Sequence, residues 1–352
     1  ANLATISGPI AGFGQTAQNA AKAYVNYVNS QGGVCGRTLN LLTGDDRLDT
    51  GTNRSETQRL VGEALAMVGG ISVVDDGGAA ILQGTNIPDV TLAIGSVRVT
   101  LPNNFSPNPV PPQGNGATAP FSYFAARGVT SAAIVYPSQA DARARGQGYQ
   151  IDLNAAGITD VDVYEVAVTE TNYVNVAQQI ENAGSQLVVT TLEITGMSKL
   201  AQAFQQIGYR PQVPFYGAQA YGTQFLQQAG SAAEGTTLAV TFSIFEDAAN
   251  VPAMATFLEW YRRTAPGSEP DFFAIMGWAA VDMLVQAIRD TNGSPTRDNV
   301  LAALRTQTGY SGDGFLAPRD PPGKSVGNCF AVITVENGAW RRVEPAQGFI
   351  NC

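Results

Sequence analysis

Ala132-Ala133-Ile134-Val135-Tyr136 is an unbroken apolar run of strand length. Successive strand residues point to opposite faces, so such a run is buried on both sides. That is the mark of a parallel sheet covered by helices. Working outward, strand candidates recur at 162–168, 187–191, 213–216 and 237–242, with helical stretches near 145–156, 174–183, 196–208 and 221–229. The first hundred residues show the same alternation. Strands are expected at 3–7, 38–43, 67–73 and 90–93, with helices over about 17–31 and 53–66. Helices near 250–264, 271–289 and 297–306 follow without strands of their own, so they must pack on an earlier sheet. The tail 330–343 reads as a hairpin turning at Asn337-Gly338. The fold class expected is therefore α/β with doubly wound parallel sheets and right-handed crossovers.

The chain has 352 residues, too many for one ordinary core, so two lobes are expected. The Pro/Gly/Asn-rich stretch 102–120 is a junction or a surface loop. Net charge is −9 and lysine occurs only as Lys22, Lys199 and Lys324, so a nucleic-acid groove is excluded and anionic membrane is disfavoured. No run of eighteen apolar residues exists, so no membrane-spanning segment is expected. Histidine is absent, which removes histidine bases, histidine triads and histidine-ligated zinc, but leaves carboxylate and tyrosine chemistry. Three cysteines lack zinc spacing; the tail hairpin brings Cys329 and Cys352 within reach of a disulfide, while a pairing through Cys35 stays open. A disulfide, with no leader ahead of Ala1, points to an extracellular or periplasmic setting; surface tethering before processing stays open.

Several motifs invite chemistry. Gly12-Phe13-Gly14-Gln15-Thr16-Ala17 matches a dinucleotide fingerprint, but Gly8-Pro9-Ile10-Ala11 separates it from its strand and the acid comes late. Gly323-Lys324-Ser325 imitates the end of a phosphate loop whose first glycine is replaced by Pro318. Neither carries a cofactor. Asp75-Asp76-Gly77-Gly78 closes a strand, where sites fall; its plainer reading is a turn held by aspartate hydrogen bonds. Phe13, Tyr216, Tyr221 and Trp278 are large aromatics at loops or helix starts, each equally readable as core.

The order of features resembles the type I periplasmic (extracellular) solute-binding proteins of ABC importers, the leucine/isoleucine/valine-binding branch. The residues carrying it are Ser7-Gly8-Pro9 with Gly12-Phe13-Gly14, then Asn29-Ser30-Gln31-Gly32-Gly33-Val34-Cys35-Gly36-Arg37, then Leu39 to Leu42 with Asp45-Asp46. The resemblance implies two doubly wound lobes joined by a three-crossover hinge, 1–116 with 246–323 and 117–245 with 324–352. It implies a small-molecule ligand held in the interlobe cleft, an ABC permease as partner, a monomer, no cofactor and no catalysis. Carried over by position, the ligand-binding residues are Phe13; Asp75, Asp76 and Gly77; Ala93, Gly95 and Ser96; Gln139 and Asp141; Glu193; Gln219 and Tyr221; and Trp278. Family members that take amino acids cradle the ligand carboxylate where Asp75 and Asp76 stand here. They hold the ammonium group with an acid where Gln219 stands, and place a threonine where Gly95 stands. The expected ligand is therefore not a plain α-amino acid but a neutral polar, aromatic or cationic molecule. A ligand-sensing domain, or an enzyme using Asp75, Asp76 or Glu193, are the alternatives.

Overall fold

The computed structural model describes residues 1–8, 14–109, 118–325 and 327–352. The elements run β1 (Asn2–Ala4), α1 (Gln15–Ser30), β2 (Thr43–Asp45), α2 (Thr50–Glu63), β3 (Met67–Ile71), α3 (Ala79–Gln83) and β4 (Asp89–Leu92). They continue with α4 (Thr118–Ala125), β5 (Ser131–Pro137), α5 (Ala140–Ala155), β6 (Asp160–Val166), α6 (Val174–Ala183), β7 (Leu187–Thr190), α7 (Ile194–Ile207), β8 (Val213–Phe215), α8 (Thr223–Ala229) and β9 (Thr237–Val240). The last are α9 (Pro252–Thr264), α10 (Phe272–Asp290), α11 (Arg297–Leu304), β10 (Ala331–Glu336) and β11 (Ala339–Glu344). Two compact units result: Ala1–Val110 with Phe242–Gly327, and Pro111–Thr241 with Asn328–Cys352. The chain therefore passes from one unit to the other three times.

In the first unit β1 pairs with β2 and β3 with β4, all parallel. Backbone bonds from Val68 N to Ala1 O (2.7 Å) and from Thr5 N to Ile71 O (3.0 Å) join β1 to β3. The lateral order is β2-β1-β3-β4, so the chain reverses direction across the sheet between β1 and β3. Strand β2 is shorter than the run 38–43 expected, and begins only at Thr43. The cause is Asn29, whose side-chain amide donates to Leu39 O (2.9 Å) and accepts from Leu39 N (2.8 Å). A side chain thus takes the place of a neighbouring strand. The glycines after Asn29 also have a reason. A Cβ on Gly33, which sits at φ +80°, would fall 2.0 Å from Arg37 O.

Helix α10 is apolar nearly all round, with fifteen of its nineteen residues buried. It is long and apolar enough to cross a membrane by composition, a property that counting uninterrupted apolar runs overlooks, yet most of its length lies inside the first unit. Asp271 starts it by accepting from Ala274 N (2.9 Å). It packs against α1 and β3.

The second unit is built on one seven-stranded sheet in the order β11-β10-β9-β8-β7-β5-β6. Strands β5 to β9 are parallel, and the terminal hairpin adds β10 and β11 antiparallel. Strand β5 is buried at all five positions 132–136. Its neighbours are β6 on one side and β7 on the other, so the sheet's direction of travel reverses between β5 and β7. Ile134, Leu187, Val189 and Phe215 pack with Phe121 and Phe124 of α4. Burial of side chains of this size contributes roughly 1.5–3 kcal/mol each. A disulfide joins Cys329 to Cys352, and Cys35 is an exposed free thiol.

Candidate functional site

Ligands of doubly wound sheets bind outside the carboxyl ends of the strands, where the order reverses. In the first unit those ends are the loops after β1, β3 and β4. The residue after β2, Asp46, is fully buried and knits the ends together. It accepts from Thr5 Oγ1 (2.8 Å) and Asn53 Nδ2 (3.0 Å), and Asn53 also donates to Ser72 Oγ (3.2 Å). Asp45 takes the loop after β1, accepting from Ile6 N (3.0 Å), Ser7 N (3.2 Å) and Ser7 Oγ (2.6 Å). Partial burial works against its charge. The Ser7 hydroxyl and the amides of Arg47, Ile6 and Ser7 outweigh that and hold its carboxyl below the usual range.

The loop after β3 carries Asp75 and Asp76. Their carboxylates point at the neighbouring loop rather than back at their own turn. Asp75, 1% exposed, accepts from Ile94 N (2.9 Å) and Gly95 N (2.8 Å). Asp76, which is exposed, accepts from Arg98 N (2.9 Å) and Val97 N (3.2 Å). Four consecutive-loop amides are thereby taken up by two carboxylates. Gly95 is glycine because a Cβ there would fall 2.2 Å from Asp76 Oδ1 and 2.5 Å from Asp75 Oδ1. Ala93 is buried and Ser96 exposed on the same loop, and Gly77 packs on Thr50. Beneath the loop, Arg98 reaches Asp89 through two bonds, Nε to Oδ2 (3.0 Å) and Nη2 to Oδ1 (2.9 Å). Sequence reasoning missed this pair. Its only trace was an arginine and an aspartate nine residues apart, which more often sit in solvent.

Burial pushes Asp75 up to about 6, against the pull of the Arg98 charge and the amides of Ile94 and Gly95. The folded protein therefore holds a proton at Asp75 that the unfolded chain, with a value near 3.8, has released. The stabilisation from that proton is present at low pH and is lost as pH rises to about 6. Asp75→Asn is expected to remove this portion of the pH dependence. The check is urea unfolding at pH about 4, 5 and 7; midpoints that shift in parallel for both proteins would contradict it.

In the second unit the carboxyl ends present Gln139, Glu193 and Gln219. Gln139 is exposed and stands at the start of α5. Asp141 falls in the first turn of α5, and its side chain lies outside the described atoms. Glu193 caps α7, accepting from Gly196 N (2.6 Å) and Thr195 N (2.7 Å). Gln219 folds back over Gly217, where a Cβ would fall 2.2 Å from its Oε1, and its Nε2 donates to Leu192 O (3.5 Å). The loops after β7 and β8 are so tied together. Tyr173 lies beside them, pushed up to about 12 by burial first and by the charges of Glu193 and Glu170 second. These loops carry one carboxylate and no lysine or arginine among their described residues.

Two expected site residues are buried against other rings. Trp278 is 4% exposed and its ring is surrounded by Tyr24 (4.7 Å between centroids), Phe257 (5.4 Å) and Tyr27 (5.9 Å), so it fills the α1–α9–α10 core. Tyr221 is 1% exposed, packs at 6.0 Å on Trp340, and sits next to Gly222, whose carbonyl receives the Trp340 indole N–H (3.2 Å). Phe13 lies outside the described residues.

Residues 1–339 match the periplasmic binding protein family. The chain belongs to that family. Among solved structures, the fatty acid ABC transporter substrate-binding protein from Thermomonospora curvata is similar over 97% of this chain and 90% of its own, with TM-score 0.79 and 18% identity. The branched-chain amino acid transporter substrate-binding protein of Streptococcus pneumoniae, in complex with isoleucine, covers 97% of this chain and 98% of its own, with TM-score 0.76 and 18% identity. An ABC transporter solute-binding protein from R. palustris, in complex with benzoate, covers 99% and 96%, with TM-score 0.76 and 18% identity. At such identities the likeness is one of fold, and the bound molecules differ in charge and shape. No curated protein matches the sequence. In this periplasmic binding protein the strand-end loops of both units are therefore the residues to read for ligand chemistry.

Proposed function

We propose that the chain is a periplasmic or extracellular receptor that captures a neutral polar or cationic small molecule and delivers it to an ABC permease, without chemical change to the ligand. The observation that carries this reading is the amide set of Ile94, Gly95, Val97 and Arg98. These N–H groups already satisfy Asp75 and Asp76. A ligand carboxylate arriving there would meet two acidic side chains and a loop with four of its amides already taken, and an unpaired charge held away from water costs several kcal/mol, on the order of magnitude. Arg98 offers no relief, because Asp89 holds its guanidinium. Glu193 and Gln219 supply the acceptors a cation or an amide needs.

The test is a thermal-shift series on the purified protein with choline, small carboxamides, aromatic alcohols, leucine and isoleucine. A ligand at a hundred times its Kd stabilises by about 2.7 kcal/mol, a shift of several degrees. A neutral or quaternary-amine compound is expected to give that shift, and Glu193→Gln or Gln219→Ala to reduce it. A micromolar response to leucine or isoleucine would overturn the reading.

A further inference from the structure

A recess within the second unit is lined by the end of α7, by the residues leading into β8 and β9, and by Tyr216, and includes neither Glu193 nor Gln219. It has a volume of about 260 Å³ and sits under the two connections that lead into β8 and β9. Phe204, Tyr209, Pro211 and Pro214 form its apolar walls. Its mouth carries Arg210 and Glu234, both exposed, so the recess opens to solvent.

Three features distinguish it from a packing gap. First, Tyr216 lines it with a side chain 1% exposed, and the Tyr216 hydroxyl has no partner among the described residues. A hydroxyl stripped of water and left unpaired costs about 1–3 kcal/mol, so a polar group inside a recess is normally matched by something that enters it. Burial raises this hydroxyl well above its ordinary value, so it is a proton donor at any physiological pH. Second, Arg210 lies at the mouth. Its guanidinium lies over Gly235, which sits at φ +76° and where a Cβ would fall 1.8 Å from Arg210 Nη2. Among the described residues no carboxylate lies within 4.0 Å of Arg210. Third, the acid at the mouth is already engaged, because Glu234 accepts from Asn337 N (3.1 Å) and Gly338 N (3.3 Å) of the hairpin turn.

We infer that this recess is a ligand site separate from the strand-end loops, taking a single-ring molecule with a hydrogen-bonding oxygen at its inner end and an anionic group at its outer end. The inner oxygen accepts from Tyr216, the ring lies among Phe204, Pro211 and Pro214, and the anion pairs with Arg210. The volume falls just short of the pockets that hold drug-sized molecules, which suits one ring with two small substituents.

The probe is 4-hydroxybenzoate, titrated calorimetrically into the full chain. Saturable one-to-one binding with a Kd at or below about 1 mM is expected. Tyr216→Phe and Arg210→Gln are each expected to weaken it about tenfold or more. Glu193→Gln and Gln219→Ala, at residues that do not line the recess, are expected to leave it unchanged. Without probe, Tyr216→Phe is expected to unfold no earlier than the parent, since it removes a hydroxyl that has no partner. Absence of saturable heat, or unchanged affinity in Tyr216→Phe, would overturn the site. So would loss of affinity in Glu193→Gln, because the probe would then reside at the strand-end loops.

Discussion

Asp89→Ala is expected to destabilise the first unit by roughly 3–5 kcal/mol, the cost of breaking a buried ion pair from one side. Asp89 is 0% exposed and its carboxylate receives four hydrogen bonds, two from Arg98, one from Asn104 Nδ2 (3.0 Å) and one from Thr91 Oγ1 (2.7 Å). Removing it strands a guanidinium that is itself 3% exposed. The pair as a whole is worth far less than either half suggests, because both charges had to leave water. Asp89→Leu combined with Arg98→Met is therefore expected to recover most of the loss. Denaturant unfolding followed by a probe in the first unit reads both numbers. A single-variant loss below about 1 kcal/mol would show that the guanidinium escapes to solvent. The single variant is also expected to lose ligand binding, since Arg98 anchors the loop whose amides Asp75 and Asp76 hold.

Gly277→Val is expected to cost about 3 kcal/mol or more, the upper end for overpacking. A Cβ at Gly277 would fall 2.3 Å from Ala17 O and 2.9 Å from Ala17 Cα. Both are backbone atoms of α1, so no side chain can turn aside, and α1 and α10 must separate. Gly69 of β3 approaches the same place, where a Cβ would fall 3.1 Å from Gly277 O. Gly62→Ala in α2 is the matched control. Its Cβ meets nothing within 4 Å, and it is expected to gain up to about 1 kcal/mol from helix propensity. A lowered melting temperature for both variants would mean that glycine content, and not the α1–α10 crossing, governs the effect.

The alternation of strands and helices was legible because it rests on local periodicity, and the run 132–136 declared a strand buried on both faces. The hairpin at Asn337-Gly338 was legible for the same reason. Strand β2 was misjudged because its first half bonds to the Asn29 side chain, a contact ten residues back that periodicity does not encode. Trp278 and Tyr221 carried two readings in the sequence, because a large aromatic near a loop looks alike whether it meets a ligand or another ring. The position of Asp75 and Asp76 at a strand end was readable from sequence. Their direction was not, since their partners lie about twenty residues on, in a loop whose placement depends on the pairing of β3 with β4. The Tyr216 recess was invisible for a related reason. It needs α7, the entry to β8 and the entry to β9 to converge around one hydroxyl.

The three passages of the chain between units have a consequence for biosynthesis. Strand β3 and helix α1 leave the ribosome early, but α10, which packs on both, is translated about 200 residues later. At ordinary elongation rates that is a delay of about 10–40 s. Throughout it, α1 has β1 and β3 beside it but lacks α9 and α10, so the first unit cannot complete before nearly the whole polypeptide has been made, whereas most of the second is already in place. A nascent chain stalled at residue 260 should accordingly be protease-sensitive in its first hundred residues and resistant in its middle.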